Sequence, residues 1–523
     1  MPPIDLLIRR ARVIDGSGCP WFFADVAVSG AQIVAVGDLR DQTAHQIVDA
    51  DGRYLCPGMI DVHVHSDLRL LEDPDFPAAT AQGVTTHIIG LDGISYAPLS
   101  RAAREHMRRY FAAVNGDPAL DWDWSDVASY LRRFDRRVAL NVAYLVPHGS
   151  VRLEVMGLEA RQPSGAELRR MQQLIAEAME QGALGLSTGL EYLPGAYADT
   201  AELVACAHPV AARGGIYVTH MRSYTDRVAA AVAETATIGR EAGLPVHISH
   251  YNGPADLMLG LADAERAAGG DLTFDSYPYL AGCTVLSMVA LPHWVQEGGI
   301  DTTVARLRDP AIRMRLREHF ATLPFRWDDL QICNTGLPEQ QRYEGMRISA
   351  AARLAAQPVG DFVCDLLADA QLAIAVIVFH TYRNEADVRR IMLHPAHMGG
   401  SDGIYAGSHP HPRGFGTFAR YLAVYARDEQ VIRLEELVRH LTWHPARRFR
   451  LAQRGLIAPG FAADLIMFDL DRIEARATYA EGAQLAAGMD LVLINGVIVL
   501  VQGLPTGARP GRSLYGPGYR SHP

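Results

Sequence analysis

Two histidines stand where a buried strand is expected to end. The apolar segment 54–60 runs into Asp61 and then into His63 and His65. Because side chains alternate along a strand, a His-x-His pair places both imidazoles on the same side of it. Two residues of strand span about 6.6 Å, so both rings can lean onto one cation. Histidines on a surface loop are the ordinary alternative, but the strand in front of them favours metal binding.

Three further residues that can bind metal each close an apolar run: His220, His250 and Asp402. Neighbouring strands lie about 4.8 Å apart, so rings at the ends of adjacent strands can share an ion. A carboxylate beside a metal centre can take a proton from water and pass it to a leaving group. Asp402 also lies in a Ser-Asp-Gly sequence that is typical of a turn. Its register with the four histidines favours the catalytic role.

Strand and helix patterns alternate between about residues 57 and 450. Helices are expected at 165–181, 225–242 and 385–393, among others. The strand candidates are 54–62, 84–90, 138–146, 183–188, 215–220, 245–250, 272–277 and 396–401. Eight is the number that a closed parallel barrel requires. The pattern therefore predicts an α/β fold, a (β/α)8 TIM barrel, with the metal-binding residues at its mouth.

Both chain ends have a different sequence pattern, in which short strand-like segments are separated by Gly and Asp. Segments 1–56 and 451–523 are predicted to pair into one small β-sandwich, with the barrel at 57–450 between them. The stretch 281–370 is too long for one connection, so we expect an insertion or lid near the barrel mouth. One extra strand is expected after it, at 374–379.

The composition narrows the classes of function. Hydrophobic residues make up 49% and charged residues 21%, as in an ordinary globular enzyme. A net charge of −10 argues against nucleic acid or an anionic membrane as a partner. No run reaches the roughly 20 apolar residues of a membrane span, and the N-terminal segment does not resemble a signal peptide. Cytoplasm is the expected location. The oligomeric state is left open.

Further motifs extend the pattern, and they lie at 83–86, 185–190, 219–222, 247–250, 277–279, 400–403, 411–413, 445–449 and 460–465. With Asp61-Val62-His63-Val64-His65, they make the chain resemble the amidohydrolase superfamily, and within it the D-aminoacylase (N-acyl-D-amino-acid deacylase) branch. The resemblance covers essentially the whole chain. It implies a metal-dependent hydrolase that cleaves the amide bond of N-acyl-D-amino acids to a carboxylate and a free D-amino acid.

The resemblance also assigns roles to the predicted metal-binding residues. It implies that His220 and His250 hold one tightly bound zinc ion. His63 and His65 would shape a second, weaker position, and other divalent metals are alternatives to zinc. Asp402 would be the general base and acid.

This chain departs from the branch at two positions, Asp92 and Asn252, and Glu191 is a further candidate ligand. Asp92 stands where the branch has a cysteine ligand; a carboxylate can bind zinc but selects it less strongly over manganese or cobalt, and Asp92 is alternatively a turn residue. Glu191 follows the fourth strand, where other members place a bridging carboxylate or carboxylated lysine, so it could bridge two metals or face solvent or substrate. Asn252 replaces a lysine that contacts the substrate.

Four residues are candidates for binding the substrate. Arg413 resembles the arginine that receives the α-carboxylate, since its planar fork suits bidentate pairing; a surface-loop arginine is the alternative. Tyr192 and Tyr279 could orient the acyl group or the carboxylate. His148 ends the third strand and either faces the pocket or lies in a turn. The expected partner is therefore a small amide carrying a carboxylate.

Two other functions remain open at this point. The chain could hydrolyse another C–N bond, in a cyclic amide, an N-carbamoyl compound or a peptide with a D-residue. Alternatively, it could be a non-catalytic barrel scaffold. The presence of both histidine pairs and Asp402 argues against a scaffold, which has no reason to keep all five.

Overall fold

The barrel strands form one parallel sheet. The structure, a computed structural model, describes residues 2–520. Within them, eight parallel strands follow each other around the sheet in chain order. Val62 N donates to Gly399 O at 3.4 Å and Val64 bridges Gly403, so the first and eighth strands also meet. The barrel strands are Met59–Asp61, Val84–Ile89, Asn141–Pro147, Gly185–Gly189, Ile216–His220, Val246–Ile248, Leu272–Ser276 and His397–Gly399.

These strands are covered on both faces, which is why they read as continuous apolar runs. Every residue of Asn141–Pro147 is buried, for example. Helices pack outside the sheet, and the predicted ones occur at Gly165–Glu180, Val228–Ala242 and Glu385–Met392. Ser164 begins the first of these with a capping box. The predicted barrel fold is confirmed.

The other helices surround the barrel or occupy the loops at its mouth. Those outside the insertion are Arg69–Glu72, Pro77–Thr80, Arg101–Tyr110, Ala112–Asn115, Val127–Leu131, His148–Met156, Thr200–Ala211, Ala255–Ala267, Arg413–Arg420, Leu434–Leu441 and Trp443–Arg448, with a π-helical segment at Tyr421–Asp428.

Both chain ends contribute to one mixed sheet, as predicted. Its nine strands, all within the described residues, are Leu6–Val13, Phe22–Ser29, Gln32–Gly37, Gln46–Asp49, Tyr54–Pro57, Leu465–Phe468, Met489–Ile494, Val497–Val501 and Leu504–Pro505. The two ends meet where Tyr54–Pro57 pairs antiparallel with Leu465–Phe468. The first predicted barrel strand, 54–62, is therefore two strands, and its first half belongs to this end sheet. The two halves separate at Gly58.

The long stretch between the seventh and eighth barrel strands has a sheet and a hydrophobic core of its own. Ala375–Phe379, which confirms the predicted extra strand, lies between Ala281–Val285 and Leu330–Asn334 with antiparallel pairing to both. Helices pack against this sheet at Leu286–Ala290, His293–Gln296, Ile300–Arg308, Pro310–Phe320, Ile348–Leu354 and Val359–Asp369.

The division into 1–56, 57–450 and 451–523, and the action of 281–370 as a lid, stay predictions. Residues 521–523 of the last segment lie outside the described residues. In the part of the chain that the structure covers, no helix is long and apolar enough to cross a membrane.

One buried carboxylate joins the barrel to the end sheet. Asp464 Oδ1 accepts a hydrogen bond from Asn495 N at 2.7 Å, and its Oδ2 accepts one from Asn141 Nδ2 at 3.0 Å. Oδ2 also pairs with Arg454, and both partners of this ion pair are buried. Asn141 begins the third barrel strand, so one side chain links the two sheets.

We expect Asp464→Ala to lower the free energy of unfolding by about 3–5 kcal/mol, because it leaves the Arg454 guanidinium buried without its counter-charge. Asp38→Ala is the matched control, since Asp38 and its partner Arg40 are both exposed and the ion pair is open to solvent. Denaturant unfolding monitored by circular dichroism measures both variants. Equal midpoints for the two variants would contradict the structural role of Asp464.

Candidate metal centre

Six buried polar side chains meet at the carboxyl ends of the barrel strands. They follow the first strand (His63, His65), the second (Asp92), the fifth (His220), the sixth (His250) and the eighth (Asp402). Loops at this end of a closed parallel barrel converge, so residues far apart in sequence reach one small volume. The structure thus brings together all the predicted metal-binding residues except Glu191, which lies to one side.

Two sets of three side chains have the arrangement of metal ligands. The potential ligand atoms of His63, Asp92 and His250 all lie within 4.8 Å of one another, and so do those of His63, His65 and Asp402. His63 belongs to both sets. The arrangement therefore has room for two neighbouring cations, or for one.

Asp92 lies at the centre of the four histidines. Its Oδ1 is 3.6 Å from His63 Nε2 and 4.0 Å from His250 Nε2. Its Oδ2 is 3.4 Å from His65 Nε2 and 3.7 Å from His220 Nδ1. Donor atoms around one tetrahedral zinc ion, with bonds of about 2.0–2.1 Å, are about 3.4 Å apart. The spacing is that of ligands around a cation.

Several of these atoms have no hydrogen-bond partner. They are His63 Nδ1 and Nε2, His220 Nδ1 and Asp92 Oδ1, all buried. Burying polar atoms without partners costs free energy unless something else satisfies them. A divalent cation between the rings and the carboxylate satisfies them, so the residues present fit a metal centre.

The electrostatic balance differs between the histidines. Burial opposes charge on His65, but Asp402 and Asp92 outweigh it and raise the pKa of His65 to about 10. The same balance with Asp92 and Glu191 raises the pKa of His220 to about 10. Burial and the nearby His220 lower the pKa of His250 to about 3. Since a histidine must be neutral to ligate, metal binding would replace the protons of His65 and His220.

Asp275, a buried aspartate behind the site, holds histidines in place. Asp275 Oδ2 lies 3.0 Å from His247 Nε2 and 3.7 Å from His63 Nδ1, and its Oδ1 accepts a hydrogen bond from His250 N at 2.8 Å. Partners of this kind fix the orientation of metal-binding rings. Sequence reasoning missed Asp275, although a charged residue inside the buried seventh strand was a visible signal.

Asp61 links the first barrel strand to the eighth. It accepts hydrogen bonds from His63 N at 3.2 Å, Ser401 N at 2.9 Å and Ser401 Oγ at 2.5 Å. Burial raises the pKa of Asp61 to about 7 against the lowering effect of these hydrogen bonds. The contacts bring the loop of Asp402 next to the two histidines of the first strand.

Three residues of the site have left-handed backbones. The φ angles are 54° at Asp92, 36° at His250 and 50° at Asp402. Residues with side chains rarely adopt this region, and each instance costs on the order of 1–3 kcal/mol. The conformation persists because surrounding contacts determine it, and it aims each side chain at the common centre.

Asp402 pairs with a fully buried arginine. Arg413 Nη1 is 2.8 Å from Asp402 Oδ2, while Arg413 Nη2 donates to Cys283 O at 3.1 Å. Burial alone would raise the pKa of Asp402, but Arg413 and the hydrogen bond with His65 hold it below its usual range. Asp402 is therefore a carboxylate with Oδ1 directed at His65, at 3.3 Å, and able to accept a proton.

A cavity of about 1000 Å³ opens above these residues. Its floor includes Asp92, Asp402 and Arg413, and side chains of the insertion, such as Phe325, reach its wall. Tyr192 lines it, with its hydroxyl 3.2 Å from Thr284 Oγ1.

Glu191 also lines the cavity, but its side chain is 38% exposed and its Oε2 lies 2.7 Å from His220 Nε2. Neither Glu191 nor His220 belongs to the two sets of potential ligands, but His220 Nδ1 faces Asp92 Oδ2 at 3.7 Å.

Tyr279, a candidate for orienting the substrate, and His148, for which a pocket or a turn position was left open, are not on the cavity lining. Tyr279 N donates to Tyr277 O at 3.0 Å in a tight turn, so the ring of Tyr277 faces the cavity while that of Tyr279 packs against His411. His148 starts a helix directly after the third strand, and its Nε2 lies 3.0 Å from Glu202 on a neighbouring helix. The strand pattern reveals neither the turn at Tyr279 nor the helix that begins at His148.

Comparison with known proteins gives consistent matches along the whole chain. The model of the amidohydrolase family matches residues 46–500. The chain is 36% identical over 520 residues to an N-acyl-D-glutamate deacylase of Alcaligenes xylosoxydans xylosoxydans, covering 98% of this chain and 96% of that protein. It is 35% identical over 520 residues to a D-aminoacylase of the same organism, covering 98% of each.

A solved structure extends the likeness to the fold. It is an N-acyl-D-glutamate deacylase from Bordetella bronchiseptica, complexed with zinc and a phosphonate inhibitor that mimics the tetrahedral intermediate of its reaction. The TM-score is 0.82 at 33% identity, with 98% of this chain and 100% of that one covered. The chain belongs to the amidohydrolase family.

Proposed function

We propose that this protein is a metal-dependent deacylase that hydrolyses N-acyl-D-amino acids to a carboxylate and a free D-amino acid. The observation that carries the proposal is the buried Asp402 carboxylate on the cavity floor, 3.3 Å from His65 and 2.8 Å from Arg413. Asp402 is a proton acceptor, His65 belongs to a metal-binding set and Arg413 can bind a carboxylate, so the groups needed for the reaction lie in one place. The full-length relatives with this activity support it.

The metal would be held by the four histidines and Asp92. We assign a tightly bound zinc to His220, His250 and Asp92, and a second, weaker position to His63 and His65. Asp92 would contribute to either position, because each of its oxygens faces one histidine of either pair. A bound divalent cation lowers the pKa of a coordinated water towards ~7 and polarises the scissile carbonyl.

Asp402 is the group that moves the proton. Its Oδ2 is engaged by Arg413, so Oδ1 accepts the proton of the attacking water and passes it to the departing amine. The charge of Arg413 keeps Asp402 ionised before the reaction. Because both side chains are buried, the proton is held in a site with few competing water molecules.

Arg413 is also the group that we assign to the substrate's α-carboxylate. Its Nε is buried without a hydrogen-bond partner and it lines the cavity. A substrate anchored there lies beside Asp402, with its amide directed at the histidines. We also assign to the Tyr192 hydroxyl the role of orienting the acyl group, because Tyr192 lines the cavity.

A non-catalytic scaffold, considered from the sequence, explains the site poorly. Such a protein would gain nothing from buried ring nitrogens and a carboxylate oxygen without partners, nor from three left-handed backbones at the same place.

The first experiment is amine release from zinc-loaded protein with N-acetyl-D- and N-acetyl-L-amino acids. We expect turnover of the D-series, and a loss in kcat of about 10²–10⁴-fold in Asp402→Asn, because the amide cannot accept the proton. Asp121→Asn, an exposed aspartate, is the control and should keep full activity. No turnover of either series with metal bound would refute the proposal.

Metal content tests the assignment of the carboxylates. We expect Asp92→Ala to lose at least one zinc per chain on dialysis, because it removes the oxygens that face all four rings. Glu191→Gln should retain the wild-type content, since the Glu191 side chain is 38% exposed and contacts His220 through Nε2, the ring nitrogen that does not face Asp92. Elemental analysis by mass spectrometry gives both values. Loss of zinc in Glu191→Gln but not in Asp92→Ala would reverse the assignment.

Asp92→Cys tests the choice of ligand directly. A thiolate is softer than a carboxylate, so we expect the variant to prefer zinc over manganese more strongly than the natural chain. Competition dialysis against both metals measures the ratio. An unchanged ratio would show that Asp92 does not contact the metal.

A further inference from the structure

An arginine on the cavity wall has no acidic partner. Arg383 follows the strand Ala375–Phe379 and lines the cavity. Its Nη1 donates to the Tyr277 hydroxyl at 3.2 Å, and its Nε is buried without a hydrogen-bond partner. Among residues 2–520, no carboxylate forms an ion pair with its guanidinium, whose neighbours are the Tyr277 hydroxyl and the ring of Tyr382. A guanidinium held in this way can still bind an anion.

The other arginines of the cavity lining either have an acidic partner or are exposed to solvent. The sequence contains no lysine, so only arginines can meet an anionic substrate with a permanent charge. Arg222 is neutralised by Glu234, with contacts at 3.0 Å, and Arg413 pairs with Asp402. Arg227 is exposed to solvent. Arg383 is the partly buried arginine of the lining whose charge is not met by the protein.

Arg383 and Arg413 lie on the same tyrosine. The Arg413 Cζ is 4.7 Å from the centre of the Tyr277 ring, and Arg383 binds the hydroxyl of that ring. Arg413 adjoins Asp402 and so lies next to the reacting bond. Arg383 lies at the other end of Tyr277, farther along the wall. His380, close by, stays neutral because burial and the two arginines lower its pKa to about 2.

We propose that Arg383 binds a second carboxylate of the substrate, that of an acidic D-side chain. The protein then acts preferentially on N-acyl-D-glutamate or N-acyl-D-aspartate. This inference rests on the proposed deacylase function, with the α-carboxylate on Arg413. A substrate with two carboxylates on adjacent carbons or a few bonds apart can meet both arginines, whereas an uncharged side chain leaves Arg383 without a counter-charge. The planar fork of the guanidinium suits a carboxylate bidentately.

The test compares kcat/KM of the zinc-loaded protein for matched acidic and neutral substrates. The pairs are N-acetyl-D-glutamate with N-acetyl-D-glutamine, and N-acetyl-D-aspartate with N-acetyl-D-asparagine. We expect the natural chain to prefer one acidic member strongly. Arg383→Gln should lower kcat/KM for that acid about 10²-fold or more, because a buried charge pair is lost, while neutral substrates change less than about threefold. The activity on neutral substrates also shows that the variant is folded.

The control is Arg390→Gln, which removes an exposed arginine of the helix Glu385–Met392 that pairs with Asp256 outside the cavity lining. It should keep the acidic preference. Loss of that preference in Arg227→Gln instead of Arg383→Gln would overturn the assignment, as would an equal loss on acidic and neutral substrates in Arg383→Gln. Preference for N-succinyl-D-alanine over the acetylated acids would place the anion on the acyl group and also overturn it. Failure to hydrolyse any N-acyl-D-amino acid would instead contradict the proposed function.

Discussion

The site depends on one buried carboxylate surrounded by four imidazoles. Every ring nitrogen that faces Asp92 lies 3.4–4.0 Å from one of its oxygens. These distances are too long for good hydrogen bonds but fit a shared cation. The histidines come from three different strands and Asp92 from a fourth. Only a barrel whose strand ends converge can bring these side chains together.

Neighbouring residues stabilise this arrangement, which costs free energy because of its backbone strain and its buried charges. Three residues of the site have left-handed backbones, and six chargeable side chains are buried close together. Asp275 binds the backbone of His250 and lies beside His63, and Asp61 ties the loop of Asp402 to the first strand. These contacts run beneath the site, between strands that the barrel already pairs. The paired barrel strands therefore make the strand ends rigid, and this rigidity holds the residues with left-handed backbones in place.

The sequence predicted the parts of the molecule whose signal is local. Buried parallel strands read as apolar runs, and a polar residue at the end of a run must lie at the barrel mouth, which is why His220, His250 and Asp402 were found. Contacts between distant segments have no such signal. Tyr279 was a candidate for binding the substrate, but Tyr277 lines the cavity, and the turn in which Tyr279 N donates to Tyr277 O has no signal in the strand pattern. The sequence left open whether His148 faces the pocket or lies in a turn, and in the structure a helix begins at His148 directly after its strand.

The residues that we propose for catalysis and those that we propose for substrate selectivity lie on different parts of this chain. The proposed ligands and Asp402 are attached to barrel strands, whose positions are fixed by pairing on both sides. The distal wall of the cavity is formed by the segment between the seventh and eighth strands, which has its own sheet and core. A substitution there, at Phe325 or Arg383, can change the shape or charge of the wall without moving a strand end. Tyr277 joins the two parts, since it follows the seventh strand and contacts both Arg413 and Arg383. The position of this one ring therefore sets the distance between Arg413 and Arg383, the two groups that we propose bind the carboxylates of the substrate.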